Sequence, residues 1–143
     1  MWSKRIAIIA AVIGCFGLAD SSYLTIKHLQ GSYIRCGDEC SAVLGSRYAE
    51  GIGGIPLAGF GAMGYAAAII AALAAAGGLP IGRRVLAIIA PLMALVSVWL
   101  LYLQAFVIHT FCKFCLASAA ASLSLAALVL IERCLSWAPN GSE

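Results

Sequence analysis

Charge is scarce in this chain. Asp, Glu, Lys and Arg make up 10% of its 143 residues, and only six residues are acidic. Soluble domains carry about 25% charged residues, so an ordinary water-soluble enzyme is excluded. Disorder is excluded as well, because disordered chains are poor in apolar residues and this one is 63% hydrophobic, with a mean hydropathy of +1.00. The nine Lys and Arg give a net charge of +3. They are scattered without a basic stripe, so no nucleic-acid partner is expected. No period-two alternation suggests a β-barrel, and no internal repeat or low-complexity linker is visible. Proline is rare, at four residues, whereas cysteine is abundant, at six. The apolar composition rules out a secreted disulfide knot, so those cysteines need another explanation.

Four apolar stretches are long enough to cross a bilayer, which takes about 20 residues. They run over about 6–26, 55–79, 85–108 and 114–131. Unsatisfied backbone is so costly in lipid that each is expected to be a helix. The expected fold is an all-α membrane protein, a bundle of four transmembrane helices in one domain over 1–143. A cysteine-bearing loop joins the first two spans. Gly77, Gly78, Pro80 and Gly82 predict a tight loop between spans two and three. Pro56 suits the first turn of span two, and Pro91 predicts a bend in span three. Small residues at helix-packing spacing, Ala58, Ala62 and Ala66 on span two and Ser118 and Ser122 on span four, predict close helix approach.

Basic pairs cluster at one side of these spans, as Lys4-Arg5 and Arg83-Arg84. The positive-inside rule then puts both termini in the cytoplasm. The loop from Tyr33 to Gly54 and the region around Cys112 face the other side. Lys4-Arg5 followed by an apolar run and Gly17-Leu18-Ala19 also resembles a signal peptide. The helical run continues past Cys15, however, so the segment is read as a retained first span. Trp2, Tyr33 and Trp137 suit interfacial belts.

Cys112-Lys113-Phe114-Cys115 is the sharpest motif. A CxxC at a helix start holds two sulfurs close enough to make and break one disulfide. The helix N-terminus and the Lys113 cation both favour a thiolate, the nucleophile in thiol–disulfide exchange. Cys36-Gly37-Asp38-Glu39-Cys40 is a second pair on the same side. Two redox-capable pairs on one side suggest a relay. Four thiolates also make a closed zinc site, but an oxidising compartment and placement at the membrane edge argue against it. No metal is expected.

At these residues the chain resembles the vitamin K epoxide reductase family. The resemblance rests on Cys40-Ser41-Ala42-Val43-Leu44-Gly45-Ser46-Arg47-Tyr48, then Gly54-Ile55-Pro56-Leu57, then Cys112-x-x-Cys115. It covers nearly the whole chain. The order, loop pair first and CxxC at the start of span four, separates it from the bacterial oxidase that re-oxidises DsbA.

The resemblance implies that Cys112 and Cys115 form the catalytic pair beside a quinone. Cys115 would pass electrons to the ring and Cys112 would exchange disulfides with Cys40. Cys36 would complete the shuttle pair and meet the partner. Ser46 would help hold the loop or site, and Tyr48 matches an aromatic residue at the membrane interface. Vertebrate members use an Asn in span two and a Tyr after the CxxC, where this chain has Leu57 and Ala119. That favours simple quinone reduction coupled to disulfide formation. No thioredoxin-like domain is fused, which implies a separate thioredoxin-like extracytoplasmic partner.

Other residues are weighed from their positions. Asp20 is an acid inside a span, which is expensive and a functional candidate by default; it is a candidate proton donor to the quinone or a packing residue. His109, one turn before Cys112, is a candidate base. Phe111 and Phe114, with Leu57, are candidates to line a quinone pocket. Cys15 and Cys134 have no matching partner. The sequence therefore reads as an integral protein of the bacterial inner membrane, oxidising a thioredoxin-like protein and reducing ubiquinone or menaquinone. The alternatives are a zinc-stabilised membrane scaffold and a proton-coupled transporter.

Overall fold

The computed structural model describes residues 4–31, 38, 42–43 and 45–137. Among them are four helices long and apolar enough to cross a membrane. They are α1 (Lys4–Leu29), α2 (Leu57–Ala76), α3 (Pro80–Leu103) and α4 (Lys113–Trp137). A short 3₁₀ turn, Ile52–Gly54, precedes α2, and a π-helical turn, Gln104–Ile108, extends α3. Cys36, Cys40, Trp2 and Tyr33 lie outside the described residues.

The helices outrun the apolar stretches at several ends. α3 starts at Pro80 and takes in Arg83 and Arg84, while α4 continues through Glu132 and Arg133. Backbone hydrogen bonding carries a helix on past the point where hydropathy falls. Pro56 stands just outside α2, as its extended N-cap. Pro80 instead takes the first turn of α3, where its missing N–H costs nothing. The tight loop is Gly77 to Leu79, with Gly78 at φ 87° reversing the chain.

Gly82 turns out not to be a loop residue. It is buried inside α3, and a Cβ there would lie 2.5 Å from the Ala71 carbonyl oxygen and 2.6 Å from the Ala75 nitrogen. The backbones of α2 and α3 touch at this point, as small residues allow in lipid. Gly82→Ala is therefore expected to lower thermal stability, because backbone cannot swing aside. Overpacking costs about 1–3 kcal/mol, more than the helix propensity gained of about 1 kcal/mol. Gly64→Ala is the control, since the nearest atoms to its Cβ would belong to the flexible Met93 side chain, 3.2 Å away at sulfur. Melting curves in one detergent compare the two; equal curves would show that the close approach carries no energy.

The bundle differs along its length. In the half holding Arg83 and Glu132, an apolar core packs Ala10, Ala68, Ala72, Leu86, Ala90, Leu125 and Val129. The buried face of α2 is Tyr65, Ala68, Ala71, Ala72 and Ala75. The expected stripe of Ala58, Ala62 and Ala66 is only half-buried. Outward-facing Ile70, Ile88, Leu95 and Leu130 are more than half exposed. Such a surface suits lipid and not water. Toward Cys112 the helices part around a cavity.

Candidate functional site

Cys112 stands immediately before α4 and is fully buried. Its carbonyl accepts the Leu116 N–H at 2.9 Å, the first helical bond, which makes Cys112 the N-cap. The Cys112 thiol is lowered from its ordinary value of 9.0 to about 7. The largest cause is a hydrogen bond from the Cys115 side chain, and the backbone N–H groups of Cys115 and Phe114 act in the same sense. Burial and the negative charge of Asp20 oppose it. The sulfur thus takes the place of the usual Ser or Asp oxygen at an N-cap, where the helix dipole favours negative charge.

Cys112 belongs to a small apolar cluster with Leu24 and Val43, against which Tyr23, Ala58, Ile108, Phe114 and Cys115 pack. Ser46 supports this end of the loop. Its hydroxyl donates to the Val43 carbonyl at 2.7 Å, and its own carbonyl accepts the Ala49 N–H at 2.9 Å. The Ala49 carbonyl in turn accepts the N–H of Leu57 at 3.0 Å. One chain of bonds therefore runs from Val43, beside the cysteine, to the first residue of α2.

Behind Cys112 lies a cavity of about 390 Å³, within the range of small-molecule sites. Its walls are apolar, with Leu57 and Gly61 from α2 and Met93 and Leu100 from α3 among them. Cys115 and Ser46 also reach it. Tyr48 lines its edge and meets Trp99 edge-on at 6.4 Å between ring centroids.

Tyr65 crosses the interior of the bundle. It is 1% exposed, and a Cβ on Gly17 of α1 would lie 2.3 Å from its ring. The absence of a side chain at position 17 thus makes room for the ring. The hydroxyl then donates to the Ser118 carbonyl on α4 at 2.6 Å and sits 3.2 Å from the Ser118 hydroxyl. The Ser118 hydroxyl is 3.5 Å from that of Ser21. Tyr65, Ser118 and Ser21 all line the cavity and form a polar patch on its largely apolar wall.

The remaining expected residues are placed as follows. Asp20 does not line the cavity, although its neighbour Ser21 does. One carboxylate oxygen of Asp20 is buried without a hydrogen-bond partner among the described residues. Phe114 packs on Tyr23 at 5.2 Å between centroids. Phe111 is half exposed, and neither Phe111 nor Phe114 lines the cavity. His109 is exposed, in a left-handed conformation at φ 56°. Cys15 and Cys134 are exposed on the bundle surface.

Sequence reasoning passed over Gln104 and Tyr65. Gln104 is 2% exposed, and its side-chain oxygen accepts the N–H of Cys112 at 3.0 Å. Its signal was available: a carboxamide inside an otherwise apolar span is costly and asks for a partner. Tyr65, a hydroxyl amid alanines, gave the same signal.

A family model described as the vitamin K epoxide reductase family matches residues 8–130. No curated protein matches the chain.

Proposed function

The chain belongs to the vitamin K epoxide reductase family, and from that premise we propose that it is a quinone-dependent, disulfide-forming oxidoreductase of the membrane. Its substrate is a reduced thioredoxin-like protein outside the cytoplasm, and its acceptor is ubiquinone or menaquinone. Both termini are cytoplasmic in this reading, and the membrane is the bacterial inner membrane. The observation that carries it is the pairing of two sulfurs with different surroundings. Cys112 caps α4 as an incipient thiolate, while Cys115 opens onto an apolar cavity.

The steps balance. A partner thiolate attacks the Cys36–Cys40 disulfide, and the partner leaves oxidised. The Cys112 and Cys115 pair, as a disulfide, takes the electrons from Cys36 and Cys40 through a mixed disulfide of Cys40 with Cys112. The two thiols so formed then give two electrons and two protons to the quinone, which becomes a quinol, and their disulfide returns. Burial of Val43 against Cys112 favours this order. Cys40 stands three positions before Val43, and three chain steps reach at most about 11 Å.

The test is the full chain in lipid nanodiscs with a quinone analogue and a reduced thioredoxin-like protein. One quinone should be consumed per two thiols lost. Cys36→Ala is expected to lose oxidation of the protein partner and to keep quinone reduction by dithiothreitol, a small dithiol that does not need the shuttle. Equal loss of both would make the loop pair structural and sink the relay. In Cys115→Ala, which lacks the resolving thiol, peptide mapping should find Cys40 bonded to Cys112.

A further inference from the structure

We propose that Gln104 is a positioning residue for Cys112, holding the turn between α3 and α4 so that the Cys112 sulfur caps the N-terminus of α4. The inference rests on the reading of Cys112 as the sulfur of the CxxC pair that exchanges with Cys40.

Gln104 is the first residue of the π turn, and its carboxamide is buried at the end of a membrane span. Such a group persists there only when hydrogen-bonded. Its side-chain oxygen accepts the Cys112 N–H at 3.0 Å. Its backbone carbonyl accepts the N–H of His109 and, at 3.1 Å, that of Thr110. One residue therefore gathers three N–H groups from the segment that leads into α4. His109 is left-handed, a conformation that non-glycine residues adopt at a cost. The bonds to Gln104 from His109 itself and from Thr110 and Cys112 after it hold that turn in place. π turns are uncommon and recur at functional sites.

The consequence falls on the sulfur. An N-cap side chain reaches the free N–H groups of the first turn only while its own backbone keeps the capping conformation. The hydrogen bond to Gln104 constrains that backbone at the Cys112 nitrogen. Without it, the Cys112 N–H is buried with its acceptor gone, and the residue must turn to find another. The sulfur then leaves the N–H groups of Phe114 and Cys115, and the thiolate loses its stabilisation.

The experiment titrates the reduced full chain from acidic to alkaline pH and reads the ultraviolet absorbance of the buried Cys112 thiolate as the difference from the Cys112→Ala variant. The wild-type curve is expected to have its midpoint near 7. Gln104→Leu keeps the volume and removes the acceptor. Its midpoint should rise by about one pH unit, which means about fivefold less thiolate at neutral pH. Gln104→Asn keeps the amide but is one methylene too short, and it should move the same way. If the Leu variant loses its thermal transition, the Asn variant carries the test. A wild-type curve in folded variants overturns the proposal. Quinone turnover is measured in parallel on the wild type. A shifted variant curve with no wild-type quinone turnover sinks the functional reading and leaves Gln104 as the positioning residue. Normal turnover with an unmoved curve does the reverse.

Discussion

Cys112→Ala and Cys115→Ala are each expected to reduce quinone-dependent disulfide formation to background, the largest effect anticipated for any substitution in this chain. The two variants should fail differently. Without Cys112, the CxxC disulfide cannot form and nothing re-oxidises the shuttle pair, so both partner oxidation and dithiothreitol-driven quinone reduction stop. Without Cys115, Cys112 remains buried at the helix start and can still enter a mixed disulfide, which then cannot resolve. Fold should survive in both, because neither sulfur belongs to the alanine-rich core of the other half. Stopped assays of quinol and of partner thiols in reconstituted protein measure the outcome. Turnover near the wild-type rate in either variant would falsify the catalytic assignment of the CxxC.

Asp20→Asn should slow the quinone half-reaction and spare thiol exchange. A general acid or base contributes about 10²–10⁴-fold, so even a relayed proton role is measurable. The carboxylate has one buried oxygen without a partner among the described residues, and it adjoins Ser21 on the polar patch of the cavity wall. The proposed quinone reduction consumes two protons, and the walls of the cavity are largely apolar.

The sign at the thiol end follows from charge. Asp20 opposes ionisation of Cys112, so its removal lowers the Cys112 midpoint or leaves it in place, and the thiolate present at neutral pH does not diminish. Slow quinone turnover with undiminished Cys112 thiolate is the expected pattern. A quinone rate within about twofold of wild type at every pH, far below a general-acid effect, returns Asp20 to a packing role.

Much of the candidate site was legible before any coordinates. A CxxC at the start of an apolar run places two sulfurs one turn apart at a helix N-terminus, whatever the bundle around them. Ser46 and Leu57 were named from the resemblance, and both line the cavity. Phe111 and Phe114 were candidates by type alone. Proximity in sequence to Cys112 does not decide which way a ring points, and Phe114 turns to Tyr23. Gln104 and Tyr65 were missed because their meaning depends on partners 8 and 53 residues away.

The sequence by itself determined that this is a membrane protein of four helices, because hydropathy summed over some twenty residues outweighs any local preference. It also determined that redox-capable cysteines stand at the start of the last helix. Only the tertiary structure decided which faces meet. In lipid, apolar residues gain little by facing one another rather than the acyl chains. The sequence of a membrane helix therefore marks its inner face weakly. Contact shape selects the arrangement instead: the bare backbone of Gly82 against Ala71, the ring of Tyr65 in the space left by Gly17, and the cavity that opens where the helices toward Cys112 cannot close.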